Sequence, residues 1–534
     1  MKNIAYISAE FAIENLPTYA GGLGILAGDI LYTANDLKFP LYGVTFVNKK
    51  GYARYKIVGK EIIEEEEEYE PIEFFNNLDV TLSINLKNVN IYFTVWEYPL
   101  EYSKLFLIDT DIPKNPPEFR KLTNRLYVED TAEEKLLKDL LLGLGALKIF
   151  EAFKIEINKF HINESHAGFL AIELLKRYQN INLVKEKIVF TTHSPIAGHD
   201  IFDYNLVEKY YDIPDYIKNI SPDRLNLTKI LIKLSSYSNA VSWKHKKVSE
   251  KILSEKLDYI TNGVYHKRWV NKKIAELYDK YIPNWRENPA NFIYAANINL
   301  KEFKEIKKIL KKDLVEYINA NAHLNKSFNE NKIIISIRRR LTEYKRFHMI
   351  LWRLNELEEI NRKYHIQILL SGVFHPKDTY VKDAIKWILD IMSTTDIPIG
   401  IILKRGIELE KYIISGSDLF LHTPRPPFEA CGTSWMRAGI NGVPTLSSRD
   451  GGVIEVIIDG YNGWLFGENR IDPYSLYNEE ADIKDFYNKL KEILNLYKNS
   501  YEDYLKVCIN AIKTIGSLYN SYRMFSEYIA KAYK

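Results

Sequence analysis

The stretch Leu421–Gly452, LHTPRPPFEACGTSWMRAGINGVPTLSSRDGG, is the part of the sequence that most clearly indicates the fold of this chain. It starts like a strand, passes through a proline-rich loop and a short polar Gly/Thr/Ser turn, and continues into a helix. Such a turn and the start of a helix present backbone N–H groups to an anion. In α/β folds, sites of this kind lie at the carboxyl ends of strands. The stretch therefore predicts an α/β unit with an anion site.

Strand-like and helical patterns alternate on both sides of this stretch. Apolar runs typical of strands cover 3–8, 41–46, 80–86, 90–96, 160–162 and 188–192, and then 332–337, 365–370, 398–403, 418–422 and 445–447. Amphipathic patterns with three- and four-residue spacing cover 133–153, 167–177 and the last stretch, 483–534. This alternation predicts parallel sheets covered by helices, the doubly wound α/β class.

The length of 534 residues is too great for one hydrophobic core. The polar segment 272–291 contains two prolines and predicts a hinge. We therefore expect an N-terminal Rossmann-like lobe over 1–275 and a hinge with connecting helices over 276–330. A C-terminal Rossmann-like lobe over 331–480 and C-terminal helices over 481–534 complete the predicted organisation.

Composition excludes several classes of function. The formal net charge of +3 is spread along the chain and does not indicate a nucleic-acid or membrane-surface partner. No run approaches the roughly 18 apolar residues of a membrane span, and the N-terminus lacks a signal-peptide pattern, so a cytoplasmic location is expected. Two cysteines, Cys431 and Cys508, form neither a disulfide framework nor a zinc pattern, and we predict no metal.

Several short motifs follow predicted strands. A glycine turn in YAGGLGILAGD (19–29) lets the backbone approach a ligand closely, although such a turn is equally typical of purely structural loops. FHINESH (160–166) and THSPIAGHD (192–200) place histidines at strand ends, and TNG (261–263) is a turn signal by itself. In RRRLTEYKR (338–346), five cations within nine residues follow a buried strand, which predicts that an anion or a carboxylate lies against them.

These motifs, in this order, resemble the α-glucan (glycogen, maltodextrin and starch) phosphorylase family. The resemblance rests on EACGTSWM (429–436), SAEF (8–11), GGLGILAGD (21–29), HINESH (161–166), THSP (192–195), TNG (261–263) and RLTEYKR (340–346). It implies the GT-B fold: two Rossmann-like lobes face each other across a cleft, and C-terminal helices pack back toward the first lobe. The implied enzyme is a retaining glucosyltransferase that moves the terminal α-1,4-linked glucosyl unit of glycogen, starch or maltodextrin to phosphate, giving glucose 1-phosphate.

The resemblance also assigns roles to individual residues. The implied catalytic residues are His193, Arg340 and Lys345; His199 matches the family less closely than His193. The implied substrate-binding residues are Gly22, Leu23, Gly24, Asn262, Glu429, Ala430 and Gly432. The implied cofactor residues, for pyridoxal 5′-phosphate (PLP), are Arg339, Thr433, Ser434 and Arg437. The resemblance also allows a homo-oligomer.

One position departs from the family pattern. Arg437 stands where the family has the lysine that holds PLP, and an arginine is a poor amine nucleophile for a Schiff base. Non-covalent PLP is one interpretation. A nucleotide-sugar-dependent glucan synthase without PLP, with Arg437 as a further cation for the diphosphate, is the second. A non-catalytic glucan-binding relative is the third.

Overall fold

The computed structural model describes residues 2–14, 16–194 and 200–534. The chain divides into two compact units. The first contains Met1–Tyr52, Glu66–Ile260 and Met524–Lys534, and the second contains Ala53–Glu65 and Thr261–Arg523. None of the helices in the described residues combines the length and the apolar character needed to span a bilayer.

Each predicted strand is present within a few residues of its predicted position, and the structure adds further strands that the sequence analysis did not predict. In chain order they are β1 Ile4–Ile7, β2 Leu41–Phe46, β3 Tyr55–Val58, β4 Glu61–Glu64, β5 Asn76–Asn85, β6 Asn90–Pro99, β7 Lys104–Asp109, β8 Lys159–Asn163, β9 Ile188–Thr191, β10 Ile201–Phe202, β11 Leu225–Asn226, β12 Tyr237–Ala240, β13 Asp258–Tyr259, β14 His323–Leu324, β15 Ile333–Arg338, β16 Ile366–Ser371, β17 Ile399–Ile402, β18 Leu419–His422, β19 Thr445–Ser448 and β20 Trp464–Phe466.

The helices alternate with these strands as expected for the doubly wound class. They are α1 Gly22–Asp36, α2 Pro117–Arg120, α3 Ala132–Ala152, α4 Phe169–Tyr178, α5 Ile181–Lys187, α6 Tyr204–Val207, α7 Asp215–Ile220, α8 Leu227–Leu234, α9 Trp243–Leu253, α10 His266–Trp269, α11 Lys272–Tyr281, α12 Leu300–Asn321, α13 Leu354–Tyr364, α14 Thr379–Met392, α15 Ile407–Gly416, α16 Ser434–Gly439, α17 Glu479–Asn499, α18 Tyr501–Leu518 and α19 Ser521–Lys531.

The sheet of the first unit has the order β13-β12-β9-β8-β1-β2-β7-β6-β5. The strands from β13 to β7 pair in parallel, while β6 and β5 add an antiparallel edge. Successive residues of β1 point to opposite faces: Ile4 and Tyr6 enter one apolar core, Ala5 and Ile7 the other. Burial on both faces explains why these strands are continuous apolar runs.

The sheet of the second unit has the order β14-β17-β16-β15-β18-β19-β20. All its neighbours pair in parallel except the edge strand β14. The hairpin β3–β4 also belongs to this unit, although it lies early in the chain. Tyr55 stacks on Phe374 with ring centroids 4.1 Å apart, and its hydroxyl donates to the Phe374 carbonyl.

The segment predicted as a hinge, 272–291, is not an open linker. Helix α11 occupies its first half, with Ile274, Leu277 and Tyr278 buried. The Tyr278 hydroxyl donates to the Ile440 carbonyl within the second unit. Helices need such an apolar stripe for burial, and this segment has one despite its polar composition. The chain leaves the first unit at Ile260 and returns to it at Met524, whereas our predicted first lobe is 1–275.

The predicted C-terminal helices are present as α17, α18 and α19. The first two belong to the second unit, and the chain joins the first unit from Met524 onward. There Phe525 and Tyr528 lie in the same apolar core as Ile4 and Tyr6. The Tyr533 hydroxyl lies 2.7 Å from Nδ1 of the buried His161, which fixes the last segment against the sheet.

Candidate functional site

The sheet of the second unit has a topological switch between β15 and β18. From β15 the chain continues to β16 and β17 on one side, and from β18 it continues to β19 and β20 on the other. Loops that leave the carboxyl ends of two such strands diverge and leave a crevice between them, where ligands bind in this class of fold. The loops in question contain RRLTEYKR (339–346) and TPRPPFEACGT (423–433). The segments 339–346 and 423–433 therefore lie together at the crevice between β15 and β18.

Glu429 is the centre of this meeting point. Its Oε2 lies 2.8 Å from Nη2 of Arg339 and 3.1 Å from Nζ of Lys345. The three side chains are nearly buried, at 6%, 5% and 12% exposed. We call Arg339, Lys345, Glu429 and His422, described below, the Glu429 cluster.

The Glu429 cluster carries one more cation than carboxylate. Burial opposes the charge on Glu429, but Arg339 and then Lys345 outweigh it and lower the pKa of Glu429 to about 2. Burial, followed by repulsion from Arg339, lowers the pKa of Lys345 to about 7 despite the attraction of Glu429. The guanidinium of Arg339 neutralises the carboxylate of Glu429, and Lys345 is the surplus positive charge.

Arg339 also has unused donor capacity. Its Nη2 is engaged by Glu429, whereas its Nε and Nη1 are buried and have no hydrogen-bond partner among the described residues. Buried guanidinium N–H groups without acceptors are costly. An oxyanion placed against them would supply the missing acceptors, and the surplus charge on Lys345 would attract it.

His422, which the sequence analysis did not single out, completes the cluster. It ends β18, is fully buried, and its Nε2 lies 3.5 Å from Nη2 of Arg339. Ser447 donates its hydroxyl proton to the Ser448 carbonyl, so its Oγ accepts from Nδ1 of His422 at 2.8 Å. Nε2 is therefore an acceptor aimed at Arg339. Burial, reinforced by Arg339, lowers the pKa of His422 well below its usual value.

Two further segments hold the loop that carries Glu429. The Glu429 N–H donates to Oδ2 of the buried Asp450 at 2.8 Å. Nδ2 of Asn262 donates to the carbonyl of Cys431 at 3.3 Å, so this predicted substrate residue lies beside the predicted residues Ala430 and Gly432. A Cβ at Gly432 would lie 2.3 Å from Nε2 of His422, which leaves no space for any other residue there.

The sheet of the first unit has its own switch between β1 and β8. The glycine loop lies at this point. Oε2 of Glu10 accepts from the N–H groups of Ala20 and Gly21, just before α1 begins. A Cβ at Gly24 would lie 2.7 Å from that oxygen, so Gly24 is required for close packing. Among the predicted glycine-loop residues, Gly24 is buried, Leu23 is half-buried and Gly22 is exposed.

His193 lies at the carboxyl end of β9, beside the same switch. Its Nε2 donates to Oδ1 of Asn163 at 2.7 Å, and its backbone N–H donates to Oε2 of Glu164 at 2.7 Å. Burial, with a smaller effect of His245, lowers the pKa of His193 to about 3, so the ring is neutral. Burial also raises the pKa of Glu164 to about 7. His199 lies outside the described residues.

The two histidines of the HINESH motif, His161 and His166, contact other side chains of the first unit. Nε2 of His161 lies 2.8 Å from Oγ1 of Thr191, and its other nitrogen lies 2.7 Å from the Tyr533 hydroxyl. His166 packs beside the ring of Tyr127, with centroids 5.5 Å apart. No group of three potential metal ligands occurs in residues 2–14, 16–194 and 200–534.

Comparison with known proteins identifies the family. The carbohydrate phosphorylase family model matches residues 224–531. Maltodextrin phosphorylase of Thermococcus litoralis is 30% identical over 99% of this chain and 70% of its own length. Glycogen phosphorylase of Aquifex aeolicus is 30% identical over the whole of this chain and 86% of its own length. The chain belongs to the carbohydrate phosphorylase family.

An uncharacterized protein of Methanocaldococcus jannaschii is 29% identical over the full length of both chains. A second family model, the starch synthase catalytic domain, matches residues 51–263 of this phosphorylase-family chain. Both family models describe glycosyltransferases, and the two parallel-sheet units are GT-B-like domains, as the sequence predicted.

Three further residues predicted for the site, Arg340, Thr433 and Ser434, lie outside the Glu429 cluster. Arg339, which the sequence assigned to the cofactor, pairs with Glu429, and Arg340 beside it is exposed to solvent. Thr433 and Ser434 are buried at the start of α16, a helix of only six residues.

Arg437, at the position that the resemblance assigns to the PLP lysine, is enclosed by the protein's own side chains. The Arg437 guanidinium donates to Oε1 of Glu410 through Nη1 and to the Thr433 carbonyl through Nε at 3.2 Å. It also lies 4.6 Å above the ring centroid of Trp269. An arginine held in this way offers no amine, so the residues present do not fit a PLP Schiff base.

Proposed function

We propose that this chain is an α-glucan phosphorylase that transfers the terminal α-1,4-linked glucosyl unit of glycogen, starch or maltodextrin to phosphate and forms glucose 1-phosphate. One observation carries the proposal: two buried donor nitrogens of Arg339, Nε and Nη1, have no acceptor in the part of the chain that the structure describes, and they lie beside the surplus charge of Lys345. Phosphate supplies oxygen acceptors and negative charge of the required kind. Family membership supports the same reaction.

In this proposal Arg339 and Lys345 bind the phosphate, and the exposed Arg340 reaches it from the same loop. Nε and Nη1 of Arg339 donate to phosphate oxygens while Nη2 stays on Glu429. The neutral His422 keeps the guanidinium in place through Nε2. Because the guanidinium is held from two sides, it needs little reorganisation when phosphate arrives.

Glu429 is the proposed acceptor for a sugar hydroxyl. Its carboxylate stays ionised because of its low pKa, and its backbone is fixed by Asp450. Ala430 and Gly432 lie on the same loop, and the Asn262 amide donates to the Cys431 carbonyl between them, so these three residues are assigned to the sugar together with Glu429. His193 and Gly22–Gly24 of the first unit are assigned to the glucan on the family resemblance.

The proposed reaction retains the configuration at C1. A phosphate hydroxyl gives its proton to the glycosidic oxygen while the bond from C1 to that oxygen breaks. A phosphate oxygen then bonds to C1 from the same face, and the shortened glucan leaves with the proton. Fixed cations around the phosphate stabilise its negative charge throughout, which is the largest contribution that a preorganised site makes.

A second function has a specific observation in its favour. The starch synthase model matches residues 51–263, and Arg437 replaces the lysine expected for PLP. A glucosyl transferase that uses a nucleoside diphosphate sugar would also need cations for its diphosphate. The Glu429 cluster by itself is compatible with either anion.

One assay separates the two functions. The purified protein is incubated with maltodextrin and phosphate, and glucose 1-phosphate is measured; a parallel sample receives ADP-glucose or UDP-glucose with maltodextrin. We expect phosphate-dependent glucose 1-phosphate from the first sample. Glu429→Gln should abolish it, and Glu61→Gln, at an exposed position on β4, should not. Chain elongation from the nucleotide sugar alone would reject the phosphorylase proposal, and no turnover in either sample would reject both.

A further inference from the structure

Arg437 is a buried cation near the switch of the second unit. Its side chain is 5% exposed, and that of Glu410 is 4% exposed. Besides Glu410 and the Thr433 carbonyl, its Nη2 lies 3.4 Å from Oγ1 of Thr433, and Trp269 covers one face of the guanidinium. A planar, delocalised cation suits this combination of carboxylate and aromatic ring.

Glu410 comes from a different element, helix α15, and reaches two arginines. Its Oε1 accepts from Arg437, and its Oε2 lies 4.0 Å from Nε of Arg338. Arg338 is held in addition by Oγ of Ser371 and the carbonyl of Lys404, at 2.9 and 2.7 Å. Three buried charges therefore form an Arg338–Glu410–Arg437 triad, in which Glu410 is the shared acceptor.

We infer that Glu410, together with Arg437, closes the position from which this family tethers PLP, so that the chain carries no PLP and does not regain it when lysine alone replaces Arg437. The reason lies in what Glu410 would do to a lysine at position 437. The two residues are already in contact, so the carboxylate would pair with the new ammonium. Schiff-base formation needs the unprotonated amine to attack the aldehyde carbon, with loss of water. A carboxylate neighbour favours the charged form and opposes that step.

This inference concerns this chain's own residues and does not depend on which glucosyl donor is used. It predicts that a Schiff base with PLP forms at residue 437 only after two substitutions. Arg437→Lys supplies the amine, and Glu410→Gln removes the charge that keeps the amine protonated while preserving the shape of the side chain. Glu410→Gln alone supplies no amine and serves as the control for the loss of the carboxylate.

The test uses the full-length protein in four forms: unchanged, R437K, E410Q and R437K/E410Q. Each is incubated with PLP, reduced with borohydride and dialysed. The adduct at residue 437 is then quantified by peptide mass analysis, which separates it from adducts on surface lysines. Near-ultraviolet absorption of dialysed, unreduced samples reports PLP held without a covalent bond.

We expect at least tenfold more adduct at residue 437 in R437K/E410Q than in R437K, and no retained PLP in the unchanged protein or in E410Q.

Three results would overturn the inference: stoichiometric PLP on the unchanged protein, equal labelling of R437K and R437K/E410Q, or no labelling of a folded double variant. Circular dichroism establishes folding. If the double variant is unfolded, the test rests on R437K alone. Substantial labelling of residue 437 in R437K would contradict the role of Glu410, and a lack of labelling would support that role. None of these measurements depends on glucose 1-phosphate formation, so the proposed reaction is tested separately.

Discussion

Glu429 compensates two cations that are themselves nearly buried. Replacing it by Gln keeps the shape of the side chain but leaves Arg339 and Lys345 without a counter-charge. Removing one partner of a buried ion pair typically costs about 3–5 kcal/mol. We therefore expect Glu429→Gln to lower the free energy of unfolding by about 3 kcal/mol, measured by urea denaturation. Glu61→Gln, which is exposed, should change it by less than about 0.5 kcal/mol. Equal stability of the two variants would mean that Glu429 does not neutralise this site.

Lys345 gives the proposed anion site a pH dependence. Burial and the neighbouring Arg339 lower its pKa to about 7, with Arg340 acting in the same direction and Glu429 opposing it. The ammonium is therefore present below pH 7 and is lost as the pH rises above 7. Sulfate keeps its charge between pH 6.5 and 8.5 and competes with phosphate for the proposed anion site. Because the site loses the Lys345 charge over this range, the inhibition constant of sulfate for glucose 1-phosphate formation should increase. In Lys345→Arg the constant should stay flat. A flat profile in the unchanged protein would contradict this assignment.

The sequence identified Glu429, Lys345 and Arg339 because each lies in a motif next to a predicted strand end. It placed Arg339 with the cofactor, whereas the structure pairs Arg339 with Glu429. His422 and Glu410 gave no such signal. A buried histidine at a strand end resembles a structural residue, and Glu410 lies on an ordinary amphipathic helix. Their importance depends on contacts with Arg339 and Arg437, which lie 83 and 27 residues away along the chain.

The hairpin β3–β4 depends on a small number of contacts with the rest of its unit. Tyr55 provides both the ring stack on Phe374 and a hydrogen bond to its carbonyl. Removing a large buried aromatic side chain costs about 3–5 kcal/mol, and losing one hydrogen bond costs about 1 kcal/mol. Tyr55→Ala should therefore destabilise the second unit severalfold more than Tyr55→Phe, as measured by thermal unfolding. Tyr102→Ala, at a partly exposed position, is the matched control. Similar losses in Tyr55→Ala and Tyr102→Ala would show that the hairpin is not anchored there.

Local sequence pattern was sufficient for the strands that the sequence analysis predicted but not for the grouping of strands and helices into the two units. The predicted strand positions hold because strands buried on both faces are continuous apolar runs. The hairpin β3–β4 is absent from the predicted strands. Its partners, Phe374 and Leu403, lie more than 300 residues along the chain, beyond the reach of any local pattern. The segment 272–291 was predicted as a hinge because two prolines and many polar residues conceal the apolar stripe of α11.

The first unit is completed by the segment Met524–Lys534. Five of its side chains, Met524, Phe525, Tyr528, Ala532 and Tyr533, lie in an apolar core of that unit. Large side chains of this kind each contribute about 1.5–3 kcal/mol on burial, so their sum approaches the total stability of a typical domain, about 5–15 kcal/mol. Removing 524–534 should therefore expose the first unit to limited proteolysis while the second unit stays resistant. Removing only the exposed Lys534 should have no effect. Equal resistance of both truncated forms would contradict this role.

The distribution of the chain between the units also constrains how it folds during synthesis. All strands of the larger sheet have been translated by residue 260, yet the apolar core that contains Ile4 and Tyr6 stays incomplete until residues 524–534 have been made. The second unit, in contrast, needs only the early hairpin and the segment that ends at Arg523. The half that is translated first therefore reaches its native state last. A stop codon anywhere after residue 260 and before residue 524 would release a product whose first unit lacks its final layer.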